Sequence, residues 1–187
     1  MGRPTSPPTM TYPRSLLLAF TVNIFVVVFL YKLLKPVNEG MASLMVILIL
    51  MGLAIAMLNE LNQVAVLLFS GADYLTAFIA DQLQALVLLS LDLYEHGFLI
   101  SHVFFGLWLF PMGYLVFKSG FLPRFLGVLL VIAGFGYLVD FILFFLFPDV
   151  GVTVSEFTFV GEVLLLLWLL IKGVNVEQWE RRALESA

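Results

Sequence analysis

A few residues able to hold a proton, a ligand or an ion stand inside runs that are otherwise apolar: Asn59 and Glu60, His102, Asp140 and Glu162. In such surroundings an ionisable side chain is expensive, at least ~2.5 kcal/mol in a bilayer interior, and needs a partner or a wet cavity. Carboxyls and an imidazole in one low-dielectric layer suit proton handling or recognition of a small polar ligand. Metal chemistry is a poorer fit. Zinc takes about three side-chain ligands and favours His, whereas only His96 and His102 exist, with no HExxH spacing around them. His102, Asp140 and Glu162 offer at most a mixed N/O set, so no metal site is expected. The chain has no cysteine, which excludes disulfides, thiolate sites and thiol nucleophiles. Neither a G-x-S-x-G elbow nor a Walker or G-x-G-x-x-G loop is present. No cofactor is implied, and whether the acids with His102 form an enzyme site is left open.

The elements that must position these residues follow from composition. Hydrophobic residues make up 62% of the 187 and charged residues 12%, against roughly half and roughly a quarter in soluble domains. A core this small cannot hide that excess, so the solvent is lipid and the expected fold class is all-α, a polytopic transmembrane helical bundle. Residues 1–14, rich in Pro, Ser and Thr, form a disordered head; residues 15–173 form the transmembrane domain; residues 174–187 form a soluble cytoplasmic tail. The first apolar run, Ser15 to Leu34, lacks a small-x-small cleavage site and is retained rather than removed as a signal peptide. Further crossings are expected at Met41 to Phe69, Gly97 to Phe117, Phe125 to Phe147 and Thr153 to Ile171. The stretch Tyr74 to Tyr94 is too polar to span alone. It is an interfacial helix, a re-entrant one, or an outward extension of the next crossing.

Charge sets the parity. Lys and Arg collect on cytoplasmic loops. With five crossings, the N-terminus outside and the C-terminus cytoplasmic, Lys32, Lys35, Lys118, Arg124, Lys172, Arg181 and Arg182 fall inside, while Asp73, Asp81, Asp149 and Glu156 fall outside. A full extra crossing at Tyr74 to Tyr94 would carry Lys118 and Arg124 out. This topology belongs to a cell membrane. The modest net charge of −4 leaves no nucleic-acid footprint, and the partner that composition does imply is the lipid bilayer.

Under this topology Asn23, Asn59 with Glu60, His102, Asp140 and Glu162 all lie roughly 10–15 Å below the outer surface at 1.5 Å per residue. Each shares a helical face with small residues: Gly52 and Ala56 with Asn59, Gly106 and Gly113 with His102, Ala133 and Gly136 with Asp140, Ser155 and Thr158 with Glu162. Small residues mark helix contacts, so His102, Asp140 and Glu162 are expected to face one another inside the bundle. The plainer alternative stands beside this. Asn23, Asn62 and Gln63 suit interhelical hydrogen bonding, Glu95, His96 and Glu156 suit a solvated interface, Asp92 and His96 suit an i,i+4 pair, and Glu60 suits a satisfied interior acid.

Several stretches resemble a bacterial and archaeal multi-pass membrane family, domain of unknown function 4386. They are Leu30 to Asn38, Ser70 to Tyr74, Val103 to Leu115, Lys118 to Arg124, Gly136 to Asp140, and Gly161-Glu162 through Val174, with the order of Gly, Pro and basic residues from Phe104 to Asp140 the most specific. The resemblance implies a membrane-embedded helical domain and no particular activity; Asp140 and Glu162 fall on positions that look like the family pattern. Family members look as though they carry another apolar helix before the equivalent of Ser15 to Leu34. The chain is therefore expected to lack a helix that an upstream start or a second copy, as in a homo-oligomer, would supply.

The leading functional expectation is small-ligand or proton-coupled binding and transport through the layer of Asn59, Glu60, His102, Asp140 and Glu162, with the ligand itself unidentified. An interaction or scaffold subunit with a purely structural polar layer, and an intramembrane enzyme, are the alternatives. A cavity reaching Asp140 and Glu162 favours ligand binding or catalysis; a dry layer favours the scaffold.

Overall fold

The computed structural model describes residues 11–71, 78–147 and 151–185, so Asp73 and Asp149 lie outside the described residues. Among the described residues all the regular elements are helices: α1 (Thr11–Leu34), α2 (Glu39–Gly71), α3 (Ala80–Ser119), α4 (Arg124–Leu146), α5 (Ser155–Thr158), α6 (Val160–Ile171) and α7 (Val176–Glu185). α1 begins four residues ahead of the apolar run that starts at Ser15.

Local chemistry explains the breaks. Asn38 caps α2, its Oδ1 accepting from the Met41 amide at 2.9 Å. α3 ends where Gly120 takes a left-handed conformation, φ 78°, which a residue with a Cβ adopts only with strain. Ser119 locks that turn, its hydroxyl donating to the Val116 carbonyl at 2.8 Å and accepting from the Leu122 amide at 3.2 Å. Pro123 then precedes the first residue of α4. Pro111 sits within α3, which continues through it as one helix.

α2 has 33 residues and α3 has 40, lengths of about 50 Å and about 60 Å at 1.5 Å per residue, against ~30 Å of hydrocarbon. α4, with 23 residues, matches the bilayer. From Ala80 onward the stretch before Tyr94 is therefore continuous with α3 rather than a separate helix. Among the described residues, three helices (α2, α3 and α4) are long and apolar enough to cross a membrane, or four if the bent pair formed by Ser155–Ile171 and α7 makes one span; the apolar part of α1, Leu18–Leu34, is shorter. Their outward faces are apolar: Phe25 on α1 is 71% exposed and Leu170 on α6 is 82% exposed. Such surfaces suggest a membrane protein.

α3 is the spine, packed on α2 along one side and α4 along another. The α3–α4 contact is backbone on backbone. Gly106 meets Gly134 and Gly113 meets Gly127, and a Cβ on Gly127 would stand 2.6 Å from the Gly113 carbonyl oxygen. The dry core fills the end of the bundle where Leu34, Met45, Leu115, Leu126 and Leu130 are fully buried. α7 closes that end. The chain bends by 102° after α6, Gly173 turning it at φ 67°, and Asn175 caps α7 through a 3.1 Å bond from the Gln178 amide. Trp179 Nε1 donates to the Leu33 carbonyl at 2.9 Å, and Arg182 donates to the Lys118 carbonyl at 3.2 Å. The segment after Lys172 thus includes a helix docked on the bundle.

Candidate functional site: two polar cavities

Away from the dry core, two cavities open on adjacent faces of α3. The first, the chamber, is walled by five helices: Ala19, Phe20 and Asn23 from α1, Ile49, Leu53, Ala56 and Glu60 from α2, Tyr94, Phe98, Phe105 and Trp108 from α3, Tyr137 from α4 and Glu162 from α6. It encloses ≈ 340 Å³, near the lower end of the roughly 300–1,000 Å³ of small-molecule sites. The second cavity, a vestibule of ≈ 370 Å³, is lined by Glu95, Phe98, Leu99, His102, Asp140, Leu143, Phe144, Phe147, Gly151, Val152 and Thr153.

Helical spacing on α3 separates them. Tyr94, Phe98, Phe105 and Trp108 are spaced by 4, 7 and 3 residues, which keeps them within one stripe at about 100° per residue. Glu95, Leu99 and His102 form a parallel stripe roughly 100° around the helix. One helix thus presents aromatic rings to the chamber and ionisable groups to the vestibule. Phe98 stands on both walls.

In the chamber each acid is engaged by a tyrosine from a neighbouring helix. The Tyr137 hydroxyl donates to Glu162 Oε1 at 3.0 Å. The Tyr94 hydroxyl donates to Glu60 Oε1 at a longer 3.4 Å. Asn23 is exposed at the rim. Glu162 sits where it does because Gly161 lets α6 press on α4: a Cβ there would stand 2.7 Å from the Leu129 carbonyl oxygen.

In the vestibule, Asp140 is 5% exposed and already has partners. Its two carboxylate oxygens accept from the Val154 amide at 2.5 Å and the Ser155 amide at 2.9 Å. Asp140 is therefore a cap supplied by α4 to the start of α5, satisfying donors that a helix leaves free. One turn earlier, Gly136 makes room for Thr158. His102 is held among rings, with centroids 4.4 Å from Phe98, 5.3 Å from Tyr137 and 6.2 Å from Phe105. Its buried Nδ1 has no hydrogen-bond partner among the described residues.

The polar layer is thus divided. His102 and Asp140 share the vestibule, Glu60 and Glu162 share the chamber, and the Tyr137 ring lies beside His102 while its hydroxyl reaches Glu162. Asn59 lines neither cavity. Its Nδ2 donates to the Tyr94 carbonyl at 2.8 Å and its Oδ1 accepts from Asn62 at 3.0 Å, over Gly97. It ties α2 to α3, while Asn62 bonds Asn59 within α2. His96 approaches the Asp92 carbonyl oxygen at 2.7 Å, so its partner is backbone rather than the Asp92 carboxylate. Among the described residues no group of three or more His, Asp or Glu is placed to hold a metal ion.

The sequence model of the family described as domain of unknown function (DUF4386) matches residues 15–173. The chain belongs to this family. An uncharacterized protein from Archaeoglobus fulgidus is 35% identical over 175 residues, covering 91% of this chain and 89% of that relative. No solved structure matches.

In this DUF4386 protein, residues that sequence reasoning passed over build much of the chamber. Tyr137 and the aromatic stripe of α3 stand among many other aromatics and were not singled out, although the 4-7-3 spacing that starts at Glu60's partner Tyr94 was readable. Trp179, equally unremarked, is the bolt that holds α7 to α1.

Proposed function

We propose that this DUF4386 protein binds a small ligand in the chamber between α1, α2, α3, α4 and α6, with proton exchange at its carboxyls accompanying binding or transport. The observation that carries this reading is convergence: five helices deliver Glu60, Glu162, Tyr94, Tyr137 and Asn23 to one cavity instead of closing around them. A carboxyl in such a wall is too costly to leave as a bare charge; it holds either a proton or a ligand. Tyr137, between Glu162 and the His102 ring, is the natural contact between chamber and vestibule. A specific observation favours a structural role for part of the layer, since Asn59 bonds the Tyr94 carbonyl and the Asn62 side chain and Asp140 bonds two backbone amides. The layer is thus half scaffold and half site.

A thermal-shift screen of small polar and amphiphilic ligands on the purified chain tests this. A ligand that raises the unfolding midpoint should lose its effect in Glu162→Gln. Asp140→Asn should lower the starting midpoint and leave the ligand-induced rise in place. No ligand-dependent shift across such a screen sinks the proposal.

We further propose that the chain crosses a cell membrane five times with its N-terminus outside and its C-terminus cytoplasmic. The basic residues Lys35, Lys118, Arg124 and Arg182 gather at the α7 end, as cytoplasmic loops require. The absence of native cysteine makes labelling clean. A cysteine at the exposed Asp81 should react with an impermeant external thiol reagent, and one at the exposed Lys118 should not. External labelling at position 118 reverses the orientation.

A further inference from the structure

Three features of the chamber wall bear on what it would hold. Its charge is of one sign: Glu60 and Glu162 contribute carboxyls, and no Lys, Arg or His lines it among the described residues. Neither acid has a salt-bridge partner among the described residues, where the one ion pair joins Lys35 and Glu39. And six of its thirteen lining residues are aromatic, with Tyr94, Phe98, Trp108 and Tyr137 among them. An anion would meet two carboxyls and, among the described residues, no cationic group to answer its charge. A sugar or other neutral polyol would leave the two carboxyls without a counter-charge. A hydrated metal ion would find no cluster of ligands. A cation with an apolar body answers all three features, because ring faces attract a cation lying within about 6 Å of their centroids and a carboxylate completes its charge.

We infer that the chamber is a binding site for organic ammonium ions, an alkyl- or aryl-ammonium whose charged head sits at Glu60 or Glu162 and whose apolar body lies along the aromatic stripe of α3. This rests on the small-ligand reading above and narrows it to one chemical class. The volume of ≈ 340 Å³ admits a small amine or a lipid's ammonium headgroup and no large ligand. The vestibule is less suited: Asp140 is spent on the amides of Val154 and Ser155, and its other acid, the exposed Glu95, shares the wall with the imidazole of His102. Charge balance makes a further statement. If the engaged carboxyl carries a proton in the empty chamber, binding of one ammonium releases one proton, which is the simplest form of the proposed coupling.

The test is isothermal titration of the full chain in an uncharged maltoside detergent. Benzyltrimethylammonium is compared with neopentylbenzene, its neutral carbon isostere, and with phenylmethanesulfonate, an anion of similar shape, at matched aqueous activity. The ammonium should bind saturably and at least tenfold more tightly than either. Glu162→Gln or Glu60→Gln should weaken it at least tenfold, and Asp140→Asn should not. Dihexanoylphosphatidylcholine below its micelle concentration presents the same trimethylammonium on a lipid headgroup. Binding of this lipid places the source in the bilayer, and binding of the free cation alone places it in solution; either supports the ammonium site. Equal binding of the neutral isostere, or preference for the sulfonate, overturns the ammonium assignment while leaving the small-ligand reading standing. Failure of all the probes to bind folded protein overturns the assignment, and the broader screen above then decides the small-ligand reading separately. The three-way comparison is made on the native chain, so it decides the question even where a Gln variant does not fold.

Discussion

The α3–α4 seam and the chamber differ in packing although both lie against the same helix. Along the seam, Gly106, Gly113, Gly127 and Gly134 bring two backbones into contact with no space left. Around the chamber, most residues facing α3 from α1, α2, α4 and α6 are large or polar, Ala19 and Ala56 being the small ones, and the helices stand apart. Close approach in a membrane comes from small residues at the contact; where they are few and the facing side chains carry carboxyls and hydroxyls, a cavity forms. The bundle is thus rigid where its glycines pair and open where its acids and tyrosines meet.

The sharpest way to break this contrast is to place volume in each region. Gly127→Val should destabilise the chain by about 3 kcal/mol, since overpacking a filled contact typically costs 1–3 kcal/mol and this contact is backbone, which cannot rotate away. Unfolding in mixed micelles measures it, and a loss below about 0.5 kcal/mol, the size of an ordinary surface change, would show the seam to be loose. Next comes Asp140→Ala. Removing an acceptor from two buried amides costs about 2 kcal/mol, and the loss should be local: amide exchange at Val154 and Ser155 should quicken while α3 stays protected.

Tyr137→Phe should be smaller, about 1 kcal/mol for one neutral-donor hydrogen bond, and Tyr94→Phe smaller again because its bond is longer at 3.4 Å. Equal and large losses from both would mean that the chamber is a dry packed layer after all. The smallest effect on stability is expected from Ala56→Leu, which extends a buried alanine of the chamber wall toward empty space. Stability should change by less than about 1 kcal/mol in either direction, while benzyltrimethylammonium binding should fall at least tenfold. A destabilisation matching that of Gly127→Val would erase the distinction between the two regions.

Much of the frame was legible along the chain. The apolar runs, Gly120 and Pro123 located the boundary between α3 and α4, because breaks of this kind depend on backbone preferences that act within a few residues. Gly106 with Gly113, and Gly136 with Asp140, were recognisable as contact faces by helical spacing. The extension of α3 was less so, since Asp81, Gln82 and Gln84 interrupt its apolar pattern and left three paths open for the segment before Tyr94. The division of the polar layer was not legible at all. Depth along a helix fixes height; it leaves undecided which of two adjacent faces of α3 an opposing acid meets.

By itself, then, the sequence determined an all-helical membrane bundle of the DUF4386 family, the set of polar groups its interior must accommodate, and the small residues through which its helices touch. Tertiary structure alone decided that Asp140 caps α5 while Glu162 stays in the chamber with Tyr137. The physical reason is that a carboxyl in lipid takes whichever donors come within reach, and that is settled by how α5 and α6 dock on α4, through Thr158 over Gly136 and Gly161 against Leu129, contacts between residues far apart in the chain.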